Sequence, residues 1–318
     1  MSGDTAKELR LAMLGMVDGN GHPYSWSAIC NGYDRKVMAE CPYPTIPQYL
    51  GAQPPESLGI PGVKVTHIWT DDPKDARLVS RASLIPNVVE KPEDVIGEVD
   101  GVCIATDIGY EHVDRARPFI EADVPVFIDK PLTDNEKDLA QFIKWYRSGK
   151  KILSTSCMRY AREVLELKAG MGKVGDAHLI TAITPKSWER YGIHAMEGLY
   201  QLTGPGFVSV RNVGVKGRDT VLLKHESGVD CVVWAYYETY GSFGIYHVYG
   251  SKDSAGCRFA DTFYAFKTQL ETFVKFLRTG RHPFDPAQTF ELMRIIVGGI
   301  VSRERGGTEI KLQAIAPQ

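Results

Sequence analysis

Short apolar segments alternate with longer amphipathic segments along the first half of the chain. The apolar runs are typical of buried strands, and the amphipathic runs carry apolar residues at helical spacing, as at Leu139, Phe142 and Ile143. The predicted strands are residues 9–14, 63–70, 102–105, 124–128 and 151–154, and the predicted helices include residues 25–31, 110–121 and 134–147. This alternation predicts a doubly wound α/β domain, with helices on both faces of a parallel sheet.

The second half of the chain has a different pattern. Strand-like segments follow one another there, separated by Gly, Asp and Ser turns. They are residues 174–184, 208–215, 220–224, 229–237 and 243–249, and two helical segments follow at 261–277 and 286–303. The pattern predicts an α+β domain with a mostly antiparallel sheet covered by helices. Its aromatic residues, among them Tyr236, Tyr237 and Tyr249, exceed what core packing needs, and an outer face buried in a dimer would explain the surplus.

Composition narrows the class of protein. The 318 residues suffice for about two domains, and a net charge of −2 argues against nucleic-acid or anionic-membrane partners. The first eight residues are polar, unlike a signal peptide, and no apolar run approaches the roughly 18 residues of a membrane helix. Six scattered cysteines lack a Cys-x-x-Cys pair, which favours reduced thiols over a structural metal site. We therefore expect a cytoplasmic protein without a metal ion.

One segment carries most of the chemical information. The predicted strand 124–128 is followed at once by Asp129, Lys130 and Pro131. Open α/β sheets bind ligands at the carboxyl ends of their strands, and the proline restricts the conformation of Lys130. A lysine held beside a cofactor can exchange protons with a substrate hydroxyl group. A surface lysine at the end of a strand is the alternative.

Further motifs occur in a definite order along the chain. They are Asp129-Lys130-Pro131, Thr106-Asp107 followed by His112, Arg159-Tyr160, and the segment Trp188 to Glu197 that contains Gly192 and His194. In their order and spacing, over residues 9–202, they resemble the family of glucose–fructose oxidoreductase, inositol dehydrogenase and rhizopine-catabolism oxidoreductases (Gfo/Idh/MocA).

The resemblance implies a two-domain NAD(H)-dependent enzyme. We predict a Rossmann-type dinucleotide-binding domain at residues 1–155 and a substrate-binding domain at residues 156–318, whose sheet pairs subunits as a homodimer or homotetramer. Lys130 and His194 are the predicted catalytic residues. The predicted substrate-binding residues are Arg159, Tyr160, Trp188, Arg190 and Tyr191, and the predicted cofactor-binding residues near the strand ends are Thr106, Asp107, His112, Asp129 and Lys130.

The loop after the first strand departs from the usual dinucleotide fingerprint. Gly15, Gly19 and Gly21 are present, but their spacing differs from Gly-x-Gly-x-x-Gly. The loop could still cradle the cofactor phosphates, with Asn20 and His22 as additional donors. A plain turn is the alternative.

Asp71 ends the second predicted strand. A carboxylate there accepts hydrogen bonds from a ribose and repels a 2′-phosphate, which favours NAD over NADP, although Asp71 or Asp72 could simply cap the next helix. The spacing from Gly15 is long because of residues 33–62, a Pro-rich segment that we interpret as an ordered, inserted loop. It could cover the active site, decorate the surface or serve as an interface arm.

The catalytic segment also departs from the family. Relatives carry an Asp four residues before the histidine, and this chain has Arg190. Glu189 could supply the missing carboxylate. Alternatively, Arg190 could bind an anionic group of the substrate, or form a surface or interdomain salt bridge.

These patterns predict an NAD(H)-dependent oxidoreductase that acts on a sugar, polyol or sugar acid. Two alternatives stay open. One is a lyase or hydrolase that oxidises its sugar transiently and forms no net NADH. The other is a non-catalytic dinucleotide-binding regulator, which the irregular glycine loop and Arg190 suggest.

Overall fold

The computed structural model describes residues 7–314, and its first sheet consists of short, buried parallel strands. They are β1 Leu9–Leu14, β2 Val63–Trp69, β3 Asn87–Val88, β4 Gly101–Ile104, β5 Val126–Ile128 and β6 Ile152–Ser154. Their spatial order is β3-β2-β1-β4-β5-β6, so the order reverses between β1 and β4. Ligands bind outside the carboxyl ends of the strands at such a reversal. The predicted doubly wound sheet is confirmed, with β3 as an unpredicted edge strand.

Helices cover this sheet. Their bounds are α1 His22–Asn31, α2 Arg35–Met38, α3 Thr45–Gly51, α4 Pro73–Ala82, α5 His112–Glu121 and α6 Glu136–Arg147. Asp72 caps α4, because its carboxylate accepts a hydrogen bond from the Lys74 N–H and Pro73 lies in the first turn. Residues 1–6, which belong to the polar start used to argue against a signal peptide, lie outside the described part of the chain.

The Pro-rich segment 33–62 contains short helices joined by loops. They are α2, α3 and a 3-10 turn at Pro55–Ser57. Pro44 and Pro47 lie at the start of α3, where a missing N–H costs no helical hydrogen bond. Ile46 and Leu50 of α3 are buried. The prediction of an ordered segment is confirmed, and its short helices were not predicted.

The second sheet is mostly antiparallel, as predicted. Its strands are β7 Ala177–Pro185, β8 Phe207–Asn212, β9 Arg218–His225, β10 Asp230–Tyr236, β11 Ile245–Gly250, β12 Ser254–Arg258 and β13 Ile310–Lys311. The spatial order is β12-β11-β7-β10-β9-β8-β13, and β7 and β10 pair in parallel. Burial alternates along β9, so one face of the sheet is buried and the other is more exposed.

Helices pack on the buried face of the second sheet and on the first sheet. Their bounds are α7 Arg162–Val174, α8 Ile193–Thr203, α9 Thr262–Thr279 and α10 Pro286–Glu304. Helix α9 belongs to the predicted second domain, yet its Phe266 and Phe273 pack on Trp26 and Phe127 of the first, with ring centroids 6.2 Å and 5.4 Å apart. The division at residue 155 therefore stays a prediction.

Two further expectations concern the class of protein. None of the described helices is both long and apolar enough to cross a bilayer. All six cysteines are free thiols, and five of them are buried.

Candidate active site

Two buried charged residues meet where β4 and β5 end. Asp107 follows β4 and Lys130 follows β5, and the parallel register of these strands places them side by side. Lys130 Nζ lies 3.3 Å from Asp107 Oδ2, and both side chains are almost inaccessible to solvent. A buried ion pair is costly unless its other hydrogen-bonding positions are filled.

Arg190 occupies those positions on Asp107. Its Nε lies 3.3 Å from Asp107 Oδ2, and its Nη2 donates to Oδ1. Burial alone would raise the pKa of Asp107, but Lys130 and Arg190 lower it to about 2. Burial alone would lower the pKa of Lys130, but Asp107 and then Asp129 raise it above its ordinary value. At neutral pH the site therefore contains a carboxylate between two cations.

His194 is a neutral imidazole in the same region. It lies at the start of α8, and its Nδ1 is 2.7 Å from Ser156 Oγ. Tyr246 fixes the backbone there by donating its hydroxyl hydrogen to the His194 carbonyl oxygen. Burial, and then the charge of Lys130, holds the pKa of His194 well below its ordinary value. Within residues 7–314, His194 Nε2 has no hydrogen-bond partner and is available to a ligand.

Asp129 organises the loop after β1. Its Oδ2 accepts a hydrogen bond of 3.0 Å from Asn20 Nδ2 and lies 2.6 Å from His22 Nδ1, while its Oδ1 accepts from the Lys130 N–H. Asn20 Oδ1 also accepts from the His22 N–H, and Pro23 has no N–H to offer. The side chains of Asn20 and His22 are thus bound within the protein. A phosphate at this loop would depend on backbone donors.

The three glycines of the loop have different roles. Gly15 has φ of +85°, and a Cβ there would lie 2.7 Å from Thr106 Cγ2. Gly19, with φ of +77°, turns the chain. A Cβ on Gly21 would lie 2.5 Å from both Ile46 and Tyr43 of the insertion. Gly21 therefore serves the packing of the insertion, which the sequence pattern did not indicate.

A smaller cavity beside Gly15 suits the base of a dinucleotide. It has a volume of about 210 Å³, lies at the carboxyl ends of β1, β2 and β4, and has apolar walls from Trp69 and Phe119 that suit a planar base. Thr106 Oγ1 is buried close to Gly15 and lacks a hydrogen-bond partner among the described residues. A ribose or phosphate oxygen would satisfy it.

Asp71 and His112 lie at the edge of this region. Asp71 does not cap α4. It accepts a hydrogen bond from the Met16 N–H and pairs with Arg115 at 2.8 Å. His112 is fully buried, with Nε2 2.9 Å from the Thr106 carbonyl oxygen and Nδ1 2.9 Å from that of Pro131. It joins the two strand-end loops and supports the site from behind.

The main cavity of the site has a volume of about 390 Å³ and brings several predicted residues together. Lys130, His194, Asp107 and Tyr191 line it, with Lys186 as an unpredicted member. The insertion contributes Tyr43, Ile46 and Tyr49, and the second half contributes Phe243, Phe259 and Phe266. Of the three roles considered for the insertion, its position supports the one of covering the site.

Some predicted site residues lie elsewhere. Arg159 and Tyr160 line a separate cavity of about 840 Å³, where Arg159 forms a buried ion pair with Glu197. Trp188 is buried and donates its indole N–H to the Ile296 carbonyl oxygen. Glu189 pairs with Arg303, so its carboxylate does not line the main cavity. No group of three His, Cys, Asp or Glu side chains among the described residues could hold a metal ion.

The sequence analysis did not identify three residues of this region, because none of them belongs to a recognisable motif. Ser156 has no motif of its own, although its position just beyond β6 places it at the same edge of the sheet as Lys130. Lys186 follows β7 directly. Arg115 faces Asp71 from the first turn of α5, 44 residues later in the chain. Position at a strand end of the first sheet was a usable signal for Ser156.

Comparisons with known proteins agree with this geometry. Residues 48–156 match the model of an oxidoreductase family described as an NAD-binding Rossmann fold, Gfo/Idh/MocA. No curated protein sequence matches the chain. The fold is similar to that of scyllo-inositol dehydrogenase from Lactobacillus casei, with a TM-score of 0.76, 12% identity and coverage of 98% of this chain and 100% of that one.

Two further solved structures are similar over nearly their whole length. Myo-inositol 2-dehydrogenase from Lactobacillus plantarum has a TM-score of 0.75 and 15% identity, and covers 96% of this chain and 99% of its own. An Agrobacterium radiobacter oxidoreductase, solved with NAD⁺, L-tartaric acid and magnesium, has a TM-score of 0.74 and 13% identity, with coverage of 97% and 99%. The predicted resemblance is therefore confirmed: residues 48–156 match the NAD-binding Rossmann fold of the Gfo/Idh/MocA oxidoreductase family, and the whole chain has the fold of these dehydrogenases.

Proposed function

We propose that this chain is an NAD-dependent oxidoreductase that acts on a CH–OH group of a sugar, polyol or sugar acid in the cavity of about 390 Å³. The observation that carries the proposal is the pairing of an ammonium group with a neutral imidazole on one cavity. Asp107 keeps Lys130 protonated, and burial keeps His194 neutral. Oxidation of an alcohol needs both groups: a base for the hydroxyl proton and a positive charge beside the oxygen.

The chemistry divides between cofactor and protein. NAD, when bound, accepts the hydride. Gly15 and Thr106 would hold it, with its base in the smaller apolar cavity and Asp71 near its ribose. The proposed domains, 1–155 and 156–318, would meet at the main cavity, because Lys130 comes from the first and His194 from the second.

His194 and Lys130 act on the substrate hydroxyl group. When His194 Nδ1 carries the proton and donates to Ser156 Oγ, Nε2 has a lone pair for the hydroxyl proton. Lys130 Nζ donates a hydrogen bond to the same oxygen and stabilises the negative charge that develops there. In the reverse reaction the doubly protonated imidazole returns its Nε2 proton to the oxygen and keeps the Nδ1 proton that it donates to Ser156 Oγ.

Turnover and binding measured together test this function. NADH formation is followed over a panel of sugars, polyols and sugar acids, and NADH affinity is measured by fluorescence titration. Lys130→Met should cut turnover by roughly 10²–10⁴, the range for a positioned acid–base group, with little change in NADH affinity. Lys173→Met, an exposed change on α7, is the control.

Three outcomes separate the alternatives. Net NADH formation that depends on Lys130 supports a dehydrogenase. Product release without net NADH would indicate a lyase or hydrolase with transient oxidation. NADH binding with no chemistry on any compound of the panel would indicate a regulator and contradict the proposal.

A further inference from the structure

We propose that Lys186 binds an anionic group of the substrate, so that this enzyme oxidises a hydroxy acid such as a sugar acid rather than a neutral polyol. The inference rests on the proposed function, because it concerns the same cavity. Lys186 was not among the residues that the sequence singled out, and the case for it comes from charge, contacts and backbone conformation.

The cavity has one cation more than its carboxylates neutralise. Among the described residues that line it, Asp107 is the one acidic side chain, whereas both Lys130 and Lys186 are present. Asp107 is already shared between Lys130 and Arg190. Asp129, just behind the wall, is bound by Asn20 and His22. The carboxylates near the cavity are therefore committed to other partners.

Lys186 contacts neutral oxygen atoms and an aromatic ring. Its Nζ donates to the Tyr191 hydroxyl oxygen at 2.8 Å and to the Gly19 carbonyl oxygen at 3.4 Å, and lies 4.3 Å from the centroid of the Tyr191 ring. No carboxylate within residues 7–314 forms an ion pair with it. A half-buried ammonium without a counter-ion is a favourable partner for a carboxylate or phosphate, because hydrogen bonds between charged groups are the strong ones.

The backbone at Lys186 is strained. Its φ is +64°, in the left-handed region that side chains other than Asn, Asp and Gly rarely adopt. Such residues concentrate at ligand-binding positions, where the surrounding structure holds them. Here the conformation carries the chain from the end of β7 into the turn capped by Ser187. Glycine would be the unstrained choice for that turn alone, so the lysine side chain requires another explanation.

Arg190 is less suited to this task than the sequence suggested. Its guanidinium group donates to both Asp107 oxygen atoms and to the Asp18 carbonyl oxygen. These bonds use its planar edge, and its charge balances Asp107. The charge-selective role that we considered for Arg190 therefore moves to Lys186.

The ammonium groups of Lys130 and Lys186 lie close enough to contact one small molecule. Lys130 Nζ lies 5.0 Å and Lys186 Nζ 4.3 Å from the same Tyr191 ring centroid. One small molecule can thus present its reacting hydroxyl group to Lys130 and a carboxylate to Lys186. Phe243, which packs edge-on against the Tyr191 and His194 rings, offers an apolar surface to the carbon chain between them.

A matched pair of ligands tests the proposal. D-Gluconate and D-glucitol share a six-carbon chain and differ in having a carboxylate or a CH₂OH group at one end. Binding to the NADH-loaded protein is measured by calorimetry, and D-glucarate and D-glucuronate widen the acid panel. We expect at least one acid to bind the wild-type protein more tightly than its neutral counterpart, with an affinity that falls as salt is added.

Three variants locate the effect. Lys186→Met should weaken binding of the acid by roughly 10- to 150-fold, the range for a charge-assisted hydrogen bond, and should weaken glucitol binding far less. Lys186→Gly should have the same effect. Because glycine adopts a positive φ without strain, this variant provides the test if the Met variant does not fold. Lys186→Arg should retain most acid binding. Lys173→Met is the control for a lost positive charge.

Two results would overturn the inference. One is that no acid binds better than its neutral counterpart. The other is that Lys186→Met and Lys186→Gly weaken acid and polyol equally. Turnover of glucitol with net NADH formation, together with either result, would leave the proposed function standing and remove only the assignment of Lys186.

Discussion

At the scale of single residues, the carboxylate that the resemblance implied at position 190 is replaced by one at position 107. The resemblance implied an Asp at position 190, whereas this chain has Arg190 there and a carboxylate at Asp107. These two bind each other, and Asp107 also binds Lys130. Lys130 therefore still has a carboxylate partner, which comes from the end of β4 and not from the segment before His194. The pairing could not be predicted, because it joins residues 83 positions apart through the meeting of β4 with the turn before α8.

Asp107→Asn should change the pH dependence of turnover. Asp107 raises the pKa of Lys130 against the opposing effect of burial. In the proposed mechanism the ammonium form of Lys130 is the active one, so activity should be lost as the pH rises through the Lys130 pKa. Without Asp107 that pKa falls, and the alkaline limb of the pH–rate profile should move to lower pH.

The acid limb provides an internal reference for this experiment. It reports protonation of His194, whose pKa is already well below its ordinary value. Loss of the Asp107 charge should move the acid limb far less than the alkaline limb. Asp123→Asn, at an exposed carboxylate that pairs with Lys150, should leave both limbs in place. An unchanged alkaline limb in Asp107→Asn would contradict the role of Asp107.

Asp71 controls the choice of cofactor in a less direct way than the sequence suggested. We still expect NAD(H) to bind more tightly than NADP(H), because Asp71 repels a 2′-phosphate. Arg115, however, pairs with Asp71 at 2.8 Å. Asp71→Ala would free the two Nη atoms of this arginine while Nε stays paired with Glu111, and these Nη atoms suit a phosphate. We expect the ratio of NADPH to NADH affinity to rise by roughly tenfold or more, for a contact of about 1.5–3 kcal/mol.

A double variant separates the two contributions to cofactor choice. Asp71→Ala/Arg115→Ala should bind NADPH less well than Asp71→Ala alone, since the released cation is gone. Fluorescence titration of the wild-type protein and both variants with both reduced cofactors gives the six affinities. Equal cofactor preference in the wild-type protein and both variants would show that neither side chain reaches the ribose.

At the scale of elements, hydrophobic pattern predicted buried strands well. Residues 102–105 and 124–128 are apolar on both faces, and they became β4 and β5 within two residues of the predicted bounds. The missed strands are short or weakly apolar, such as Asn87–Val88 and Ser254–Arg258, and form because a neighbouring strand offers an unpaired edge. The short helices of the insertion were missed because they are only four and seven residues long and the prolines around them are typical of loops.

Gly21→Ala should disturb the contact between the insertion and the glycine loop. An added Cβ would lie 2.5 Å from Ile46 Cδ1 and from Tyr43, closer than carbon atoms approach. We expect a loss of about 1–3 kcal/mol in the free energy of unfolding, measured with urea, as for other overpacked sites. Because Ile46 and Tyr43 also line the cavity, the Michaelis constant for substrate should rise.

A compensating change provides the control. Ile46→Ala removes one of the two clashes and makes room for Tyr43 to shift, so Gly21→Ala/Ile46→Ala should be less destabilised than the sum of its single variants. Gly172→Ala, at an exposed glycine of α7 with no neighbouring side chain within 4 Å of an added Cβ, measures the same substitution without a clash. If Gly21→Ala loses no more stability than Gly172→Ala, the insertion does not depend on that glycine.

At the scale of the whole molecule, the order of the strands explains why the site lies where it does. The sheet reverses between β1 and β4, and the strand-end residues Lys130, Asp107 and Ser156 all follow neighbouring strands. Sequence spacing predicted that edge. It could not predict Lys186, because the second sheet reaches the cavity only through the packing of the two halves.

The same packing leaves one face of the second sheet available for assembly. Leu222, Val232, Trp234 and Ile183 occur at paired positions on adjacent strands, and none of them belongs to the buried face. Tyr249 adds a further exposed ring near the other edge. A contiguous apolar surface of this kind is typical of a protein–protein interface. We therefore expect the protein to form a homodimer or homotetramer through this face.

Leu222→Glu tests that expectation, because Leu222 is 38% exposed in the single chain and its replacement should fold normally. In an assembly, the new carboxylate would be buried against an apolar surface at a cost of about 3 kcal/mol or more, which corresponds to a loss of roughly 100-fold in association affinity. Light scattering at a fixed concentration should show the wild-type protein as an oligomer and the variant as a smaller species. Ile96→Glu, at a side chain that is 39% exposed on the first domain, should assemble like the wild type. A monomeric wild-type protein, or equal masses for all three, would place the interface elsewhere or remove it.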